Sequence, residues 1–179
     1  MNPDEILLNQ LNGLCKSNGV TMIPVKTENF IFEENVHLNC FYCGRYNNSW
    51  RCPPKIPDLD FIKIINEFEF HAFVYNRYEI TPQNEHTVRV DSTNHLHKTL
   101  LAMEKLLYEN GRSKALSFIG GSCKLCKNGC GENRCNSPYA ARIPLEATGM
   151  NIEKSAEKYG IEIVWPVSDH MTRIGMLMW

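Results

Sequence analysis

The sequence predicts one α/β domain spanning residues 1–179, in which a mixed sheet is flanked by helices and two cysteine-rich metal loops lie at strand ends. Helical and strand patterns alternate along the chain without an internal repeat, a low-complexity tract or a linker. The 179 residues are enough for a hydrophobic core. Seven of the 8 cysteines fall into two short groups, and each group follows an apolar segment.

The first elements are predicted to be an amphipathic helix and two strands. In residues 3–18 the apolar side chains recur at helical spacing: Leu7, Leu11, Leu14 and Cys15. Cys15 lies on this stripe, far along the chain from the other thiols, so we expect it to be a buried core thiol. Strands are predicted at residues 20–25 and 30–38, and the second leads directly into Cys40.

The later elements continue the alternation. Cys52-Pro53-Pro54 interrupts regular structure because proline cannot continue a helix or a sheet ladder. The elements predicted after it are a helix from Pro57-Asp58, strands at 70–78 and 87–90, a helix from Ser92 or Thr93 to about Asn110, a buried strand at 115–119, short helices at 145–147 and 152–159, and strands at 161–164 and 173–178. Gly120-Gly121 connects the buried strand to the second cysteine group.

Composition restricts the classes of partner and the compartment. The formal net charge of −1, from 19 basic and 20 acidic residues, gives no electrostatic case for binding nucleic acid or an anionic membrane. We find neither the pattern of a signal peptide nor an apolar run of the roughly 18 residues that a membrane span needs. We therefore expect a cytoplasmic protein, in which clustered cysteines are metal ligands rather than disulfides.

The second cysteine group consists of Cys123, Cys126, Cys130 and Cys135. Four thiols within thirteen residues can surround one iron–sulfur cluster from a single loop, as in the compact runs of bacterial ferredoxins. The nearby glycines allow the backbone to approach a cluster closely. Zinc is the alternative, although structural zinc sites usually use two knuckles separated by a longer loop. Disulfides are the third possibility.

The first cysteine group offers three thiols, Cys40, Cys43 and Cys52. Three thiolates can hold a cubane cluster through three irons and leave the fourth iron open to a substrate, to water or to another ligand, as a Lewis acid. The residues between Cys43 and Cys52 either line a small polar pocket or form an ordinary surface loop: Arg45, Tyr46, Asn47, Asn48 and Trp50.

A histidine ligand or a metal shared with the second group would give the first group a different ligand set. On a strand, the offset of three residues would place His37 and Cys40 on opposite faces, which argues against His37 as a fourth ligand. The other histidines are scattered, and none is assigned a catalytic role: His71, His86, His95, His97 and His170. All seven clustered cysteines could instead bind one larger assembly, or the two groups could share a metal.

Two motifs together resemble a known family. The first is Cys-x2-Cys, an aromatic residue and then Trp-x-Cys-Pro-Pro, over residues 40–54, and the second is Gly-Gly-x-Cys-x2-Cys-x3-Cys, a further cysteine and Ala-Arg-x3-Glu-Ala-x-Gly, over 120–149. Essentially the whole chain is similar to the cysteine-rich family described as predicted metal-binding proteins of unknown function, common in anaerobic bacteria and archaea. The resemblance implies metal binding, with iron–sulfur favoured. Arg142 and Glu146 either pair with each other, orient the second cluster or form a surface ion pair.

Three functional hypotheses follow. The first is an iron–sulfur protein, with two [4Fe-4S] clusters favoured, whose second group relays electrons or supports structure. Its first group would bind a small molecule for reductive or heteroatom-removing chemistry. The second hypothesis is a non-enzymatic electron carrier or cluster-delivery protein that docks on a redox partner. The third is a zinc-stabilised interaction module. We find no dinucleotide or phosphate-loop motif, so the sequence indicates no nucleotide site. The three hypotheses include both an enzyme and non-enzymatic proteins.

Overall fold

The computed structural model describes residues 3–179, which contain a four-stranded sheet in the order β1-β2-β4-β3. The strands are β1 Thr21–Val25, β2 His71–Glu79, β3 Leu116–Phe118 and β4 His170–Met178. All three strand pairs are antiparallel, and the parallel component is an isolated bridge between Ile119 and Pro144. The fold is therefore of the expected α/β class, with one sheet and helices around it.

Helices lie on both faces of the sheet because its strands are apolar on both sides. The α-helices are α1 Pro3–Ser17, α2 Glu34–Tyr42, α3 Phe61–Asn66, α4 Glu85–Glu109 and α5 Ile152–Glu157, and 3-10 turns lie at Thr27–Asn29 and Leu145–Thr148. On one face, α1 and α4 pack against Val74 and Leu177. On the other face, Phe73 and Met176 pack against residues of α3 and α5 and of the second 3-10 turn.

Several sequence predictions are confirmed. The first helix, β1, β2 and the strand before the second cysteine group form close to the predicted positions. The predicted stripe of the long helix is buried, with Leu100, Met103 and Leu107 fully inaccessible to solvent. Cys15 is 3 % exposed within the cluster formed by α1 and α4, so it is a core thiol as expected. No helix within residues 3–179 is long and apolar enough to cross a membrane.

Five secondary-structure predictions are wrong. Residues 30–38 do not form a strand: only Phe32 makes a bridge, and helix α2 begins at Glu34. The predicted strand at 87–90 and the cap at Ser92 or Thr93 lie inside α4, which begins at Glu85. Residues 161–164 form no strand. Helix α3 begins at Phe61 rather than near Pro57, and its cap is Asp60, whose carboxylate accepts the N–H of Lys63.

Candidate metal centres

The second cysteine group lies on an irregular loop that leaves the sheet where β3 ends. At that point Gly120 passes so close to the neighbouring strand that a Cβ would lie 2.2 Å from the carbonyl oxygen of Ile174. Gly121 follows with a φ of 73°, a backbone conformation that favours glycine. The Gly120-Gly121 pair therefore lets the chain pass close to the neighbouring strand and then turn away from the sheet towards Cys123.

Helix α4 fixes this loop at both of its ends. Before the loop, the Glu104 carboxylate accepts hydrogen bonds from the backbone N–H and the hydroxyl of Ser117. After the loop, the same carboxylate forms a buried ion pair with Arg142, and His97 donates from Nε2 to the carbonyl oxygen of Ala140 at 2.8 Å. Of the alternatives that the sequence left open, the pairing of Arg142 with Glu146 does not form, because Glu104 on a distant helix takes the guanidinium.

All four thiols of the second group line one cavity of about 500 Å³. Cys123, Cys126 and Cys135 are partly exposed, and Cys130 is exposed. The charged side chains around this cavity are mostly cationic, with Asp91 as their acidic neighbour: Arg45, Arg51, Lys98, Lys124 and Lys127. A cavity with this lining favours an anionic occupant.

The first cysteine group begins on helix α2 and not on a strand. Cys40 lies in the last turn of α2, and Cys43 caps the helix with its N–H donated to the carbonyl of Cys40. The chain then folds back on itself, with the N–H of Asn47 donated to Pro53 at 2.9 Å. This loop brings Cys52, which is 7 % exposed, back beside the helix end.

The three thiols of the first group line a second cavity, of about 460 Å³. Cys43 is exposed at this site and Cys40 is partly exposed. Of the loop residues predicted to form a pocket, Arg45 and Tyr46 line this cavity, whereas Trp50 lines the other one. Asn47 and Asn48 are exposed and line neither of these two cavities.

The two loops are held together by direct contacts. Trp50, from the first loop, donates its indole N–H to the carbonyl of Gly131 in the second loop at 2.7 Å. Arg51 donates to the carbonyl of Pro138 at 2.8 Å. Arg45 lines both cavities. Burial raises the pKa of Cys52, and negative charge on Cys123 adds to that shift. The two cysteine groups are therefore neighbours in the fold, although about seventy residues separate them in sequence.

Burial disfavours the free thiolates. It raises the pKa of Cys40 to about 11, and negative charge on Glu146, Cys52 and Cys43 adds to this. Burial also raises the pKa of Cys52 and of Cys123. These thiols therefore hold their protons at neutral pH in the metal-free protein, and a metal bound there would displace those protons.

Sequence reasoning missed a polar cluster between the two groups. The Glu146 carboxylate accepts the N–H of Gly121 at 3.2 and 3.3 Å, and its backbone carbonyl lies 4.0 Å from the thiol of Cys40. Arg173, on β4, lies beside Gly121 on the other side. Burial raises the pKa of Glu146, while Arg173, the Gly121 N–H and Lys124 oppose that shift. The family motif marks Glu146, but nothing in the local sequence marks Arg173.

No histidine of residues 3–179 lines either cysteine cavity. His37 lies on α2 and not on a strand, so the argument that a strand would place it opposite Cys40 is wrong. It is exposed, and its Nε2 approaches the backbone at Gly149. His71 donates from Nε2 to the carbonyl of Ile65 at 2.8 Å, and His97 donates to Ala140 as described above. Within residues 3–179, no three Cys, His, Asp or Glu side chains form a group that could hold a single metal ion. The thiols of each cysteine group share a cavity instead.

Comparison with known proteins identifies the class. The chain matches the family described as "Predicted metal-binding protein (DUF2284)" over residues 23–179. This match covers most of the chain and both cysteine groups, so the protein belongs to that metal-binding family, as the two sequence motifs indicated. No curated protein matches the chain, and no solved structure matches it.

Proposed function

We propose that this protein is a cytoplasmic iron–sulfur protein in which the whole chain serves as one domain and each cysteine group holds its own [4Fe-4S] cluster. The observation that carries the proposal is that the seven clustered thiols divide between two cavities, four in one and three in the other. Cys15, the remaining thiol, is buried elsewhere in the core. Membership of a metal-binding family supports metal as the occupant.

The surroundings of the second group support a closed, four-ligand cluster. In this proposal Cys123, Cys126, Cys130 and Cys135 are the ligands. Four thiolates bring more negative charge than a cubane core neutralises, and five cationic side chains line the same cavity. Helix α4 holds both ends of the loop, which would keep these ligands in place. Such a centre suits electron relay or structural support.

The surroundings of the first group support an open centre. Cys40, Cys43 and Cys52 supply three ligands, and the cavity that they line extends past them to Glu146, Arg173 and Trp165. When bound, a cluster with three protein thiolates supplies one iron as a Lewis acid for a small molecule. The protein would contribute the walls that orient this molecule, and the second group would supply electrons for reductive or heteroatom-removing chemistry.

The test is the iron and acid-labile sulfide content of protein purified without oxygen. The proposal expects about eight iron and about eight sulfide per chain, together with broad visible absorbance that dithionite bleaches. Cys15→Ala is the matched control, because that thiol lies outside both cavities, and it should retain all of the iron. Colourless protein with stoichiometric zinc would overturn the iron–sulfur assignment in favour of a zinc-stabilised module.

A second candidate is a non-enzymatic electron carrier or cluster-delivery protein. It is favoured by the exposure of one thiol in each group, Cys43 and Cys130, and of apolar side chains on α2 beside Cys43, where Phe41 and Tyr42 are exposed. A redox partner protein would dock on that surface. This candidate requires that added small ligands leave the spectrum of the first centre unchanged, whereas the open centre requires that some ligand perturbs it.

A further inference from the structure

Arg173 is a partly buried cation whose hydrogen-bonding capacity is largely unused. It lies on β4 opposite Asn76 of β2 and lines the cavity of the first cysteine group. Its Nε donates to the hydroxyl of Ser92 at 3.3 Å, and Nη2 lies 3.0 Å from the sulfur of Met171, a weak acceptor. Within residues 3–179 it has no salt-bridge partner, so several of its five donors remain free.

The carboxylate of Glu146, whose charge acts on Arg173, forms no salt bridge with this guanidinium. The Glu146 carboxylate is hydrogen-bonded to the backbone N–H of Gly121. A second cation lies close by: a Cβ on Gly121 would be 3.1 Å from Nη1 of Arg173 and 4.0 Å from Nζ of Lys124. Two cations thus share one carboxylate in a region partly withdrawn from water. Arg173 is partly buried and the Glu146 charge acting on it is shared with Lys124, so an anion bound beside its free donors would offset part of the cost of its burial.

The rest of the cavity is suited to an organic body. Apolar side chains form much of its wall: Met150, Ile152, Ile163, Trp165 and Ile174. Its volume of about 460 Å³ includes the space beside the three cysteines that a cluster would fill, and a small ligand would lie in the remainder, between Arg173 and this apolar wall. Trp165 is 63 % exposed at the rim, where a ligand would cover its ring. The occupant that suits both features combines one anionic group with an apolar body.

We propose that this cavity binds a small organic carboxylate, with its carboxylate paired to Arg173 and its apolar body against the wall that includes Met150 and Trp165. The planar fork of the guanidinium matches the two carboxylate oxygens, and the wall favours an organic acid over an inorganic anion. This inference deepens the function proposed above and rests on it, because it names the class of molecule that would lie beside the three-cysteine centre.

The experiment compares binding of benzoate with binding of benzamide, its uncharged isostere, by anaerobic equilibrium dialysis on the intact protein. Benzoate should bind at least about tenfold more tightly than benzamide, because only the acid forms a charge-assisted pair. Arg173→Gln should remove this preference, and Arg173→Lys should retain part of it. Arg77→Gln is the matched control: Arg77 is an exposed arginine on β2 that pairs with Glu162 at 3.3 Å, so the preference should persist.

Iron and sulfide are measured on the same samples, which separates this inference from the function on which it rests. Equal binding of benzoate and benzamide by wild-type protein with full iron content would overturn the carboxylate site and leave the cluster proposal intact. That result would mean that Arg173 serves only to balance the charge of the cluster. Protein without iron that still prefers benzoate would overturn the cluster proposal and leave the carboxylate site intact. The wild-type comparison requires no substituted protein to fold.

Discussion

The two cysteine groups line cavities of similar volume, about 460 and 500 Å³, but the protein builds the two sites differently. The second group lies on an irregular loop with cations around it and both ends tied to α4. The first group starts on helix α2 and continues into a loop that folds back on itself. Its cavity has an extended apolar wall. If each group holds a cluster as proposed, the cations would balance the charge of the second centre, and the apolar wall would leave the first centre room for a second molecule.

The largest expected effect comes from removing one thiol of each group in turn. Cys126→Ser should lose the iron of the second centre, about four per chain, and keep that of the first. Cys43→Ser should do the reverse, so after reduction with dithionite the two variants should differ in electron paramagnetic resonance spectrum while their iron contents agree. Complete loss of iron from either single variant would contradict this comparison, because it would mean that the seven thiols hold one assembly.

A smaller effect is expected from Glu104→Gln, which weakens the anchor of the second loop. The change leaves Arg142 without its buried carboxylate partner and should lower the free energy of unfolding by about 3 kcal/mol. The matched control on the same helix is Glu109→Gln, where an exposed pair with Lys105 at 3.7 Å is lost and less than about 0.5 kcal/mol is expected. Urea denaturation measures both changes.

The same variant should also change the rate of iron release differently at the two sites. Since Glu104 contacts both ends of the second loop and none of the first-group cysteines, Glu104→Gln should release iron from the second centre faster than from the first. Chelator-dependent iron loss, followed by spectroscopy, measures the two rates. Equal acceleration at both centres would show that the second loop is not separately anchored.

The smallest effect is a pH dependence of stability at His97. Burial lowers the pKa of His97 from 6.5 in the folded protein, so the unfolded chain binds more protons below about pH 6.5. Stability from this group is therefore present above pH 6.5 and is lost as the pH falls towards the folded-state pKa. Burial also lowers the pKa of His71, so this residue changes the stability with pH in the same direction.

His97→Gln should therefore reduce the loss of stability between pH 7.5 and pH 6.0 without abolishing it. Urea midpoints at the two pH values measure this loss. His86→Gln, a change at an exposed position of the same helix, should leave the loss unchanged. A His97→Gln variant that loses as much stability as the wild type would mean that His97 is not held neutral by burial.

Sequence patterns predicted the elements whose local periodicity agrees with their final packing. Helix α1 buries Leu7, Leu11 and Cys15 of the stripe that the periodicity selects, and strand β2 forms from an apolar run that is buried on both faces. The patterns failed where local propensity and the fold disagree. Thr87, Val88 and Val90 favour a strand, yet they extend a helix whose first turn gains an ion pair between Glu85 and Arg89. Residues 161–164 have a strand pattern, but no strand in the described chain pairs with them.

For a similar reason, the sequence predicted the cysteines of the candidate sites but not the residues that surround them. Short thiol spacing is a local signal, so the sequence identified both groups and separated Cys15 from them. The partners of these groups come from distant segments. Arg173 reaches the first cavity through the register of β4, and Glu104 reaches Arg142 through the packing of α4. Such contacts depend on tertiary structure, which a single sequence does not display.

The contact between the two loops would couple the two centres electrically if each cysteine group holds a cluster as proposed. Trp50 and Gly131 hold the loops together. Burial raises the pKa of Cys52, and negative charge on Cys123 is among the smaller contributions that add to it. With a cluster in each group, an electron added to one centre would make the next electron harder to add to the other. A reductive titration would then show two separated one-electron steps even if the isolated centres had equal midpoints. The protein would then store two electrons, each taken up at a different potential.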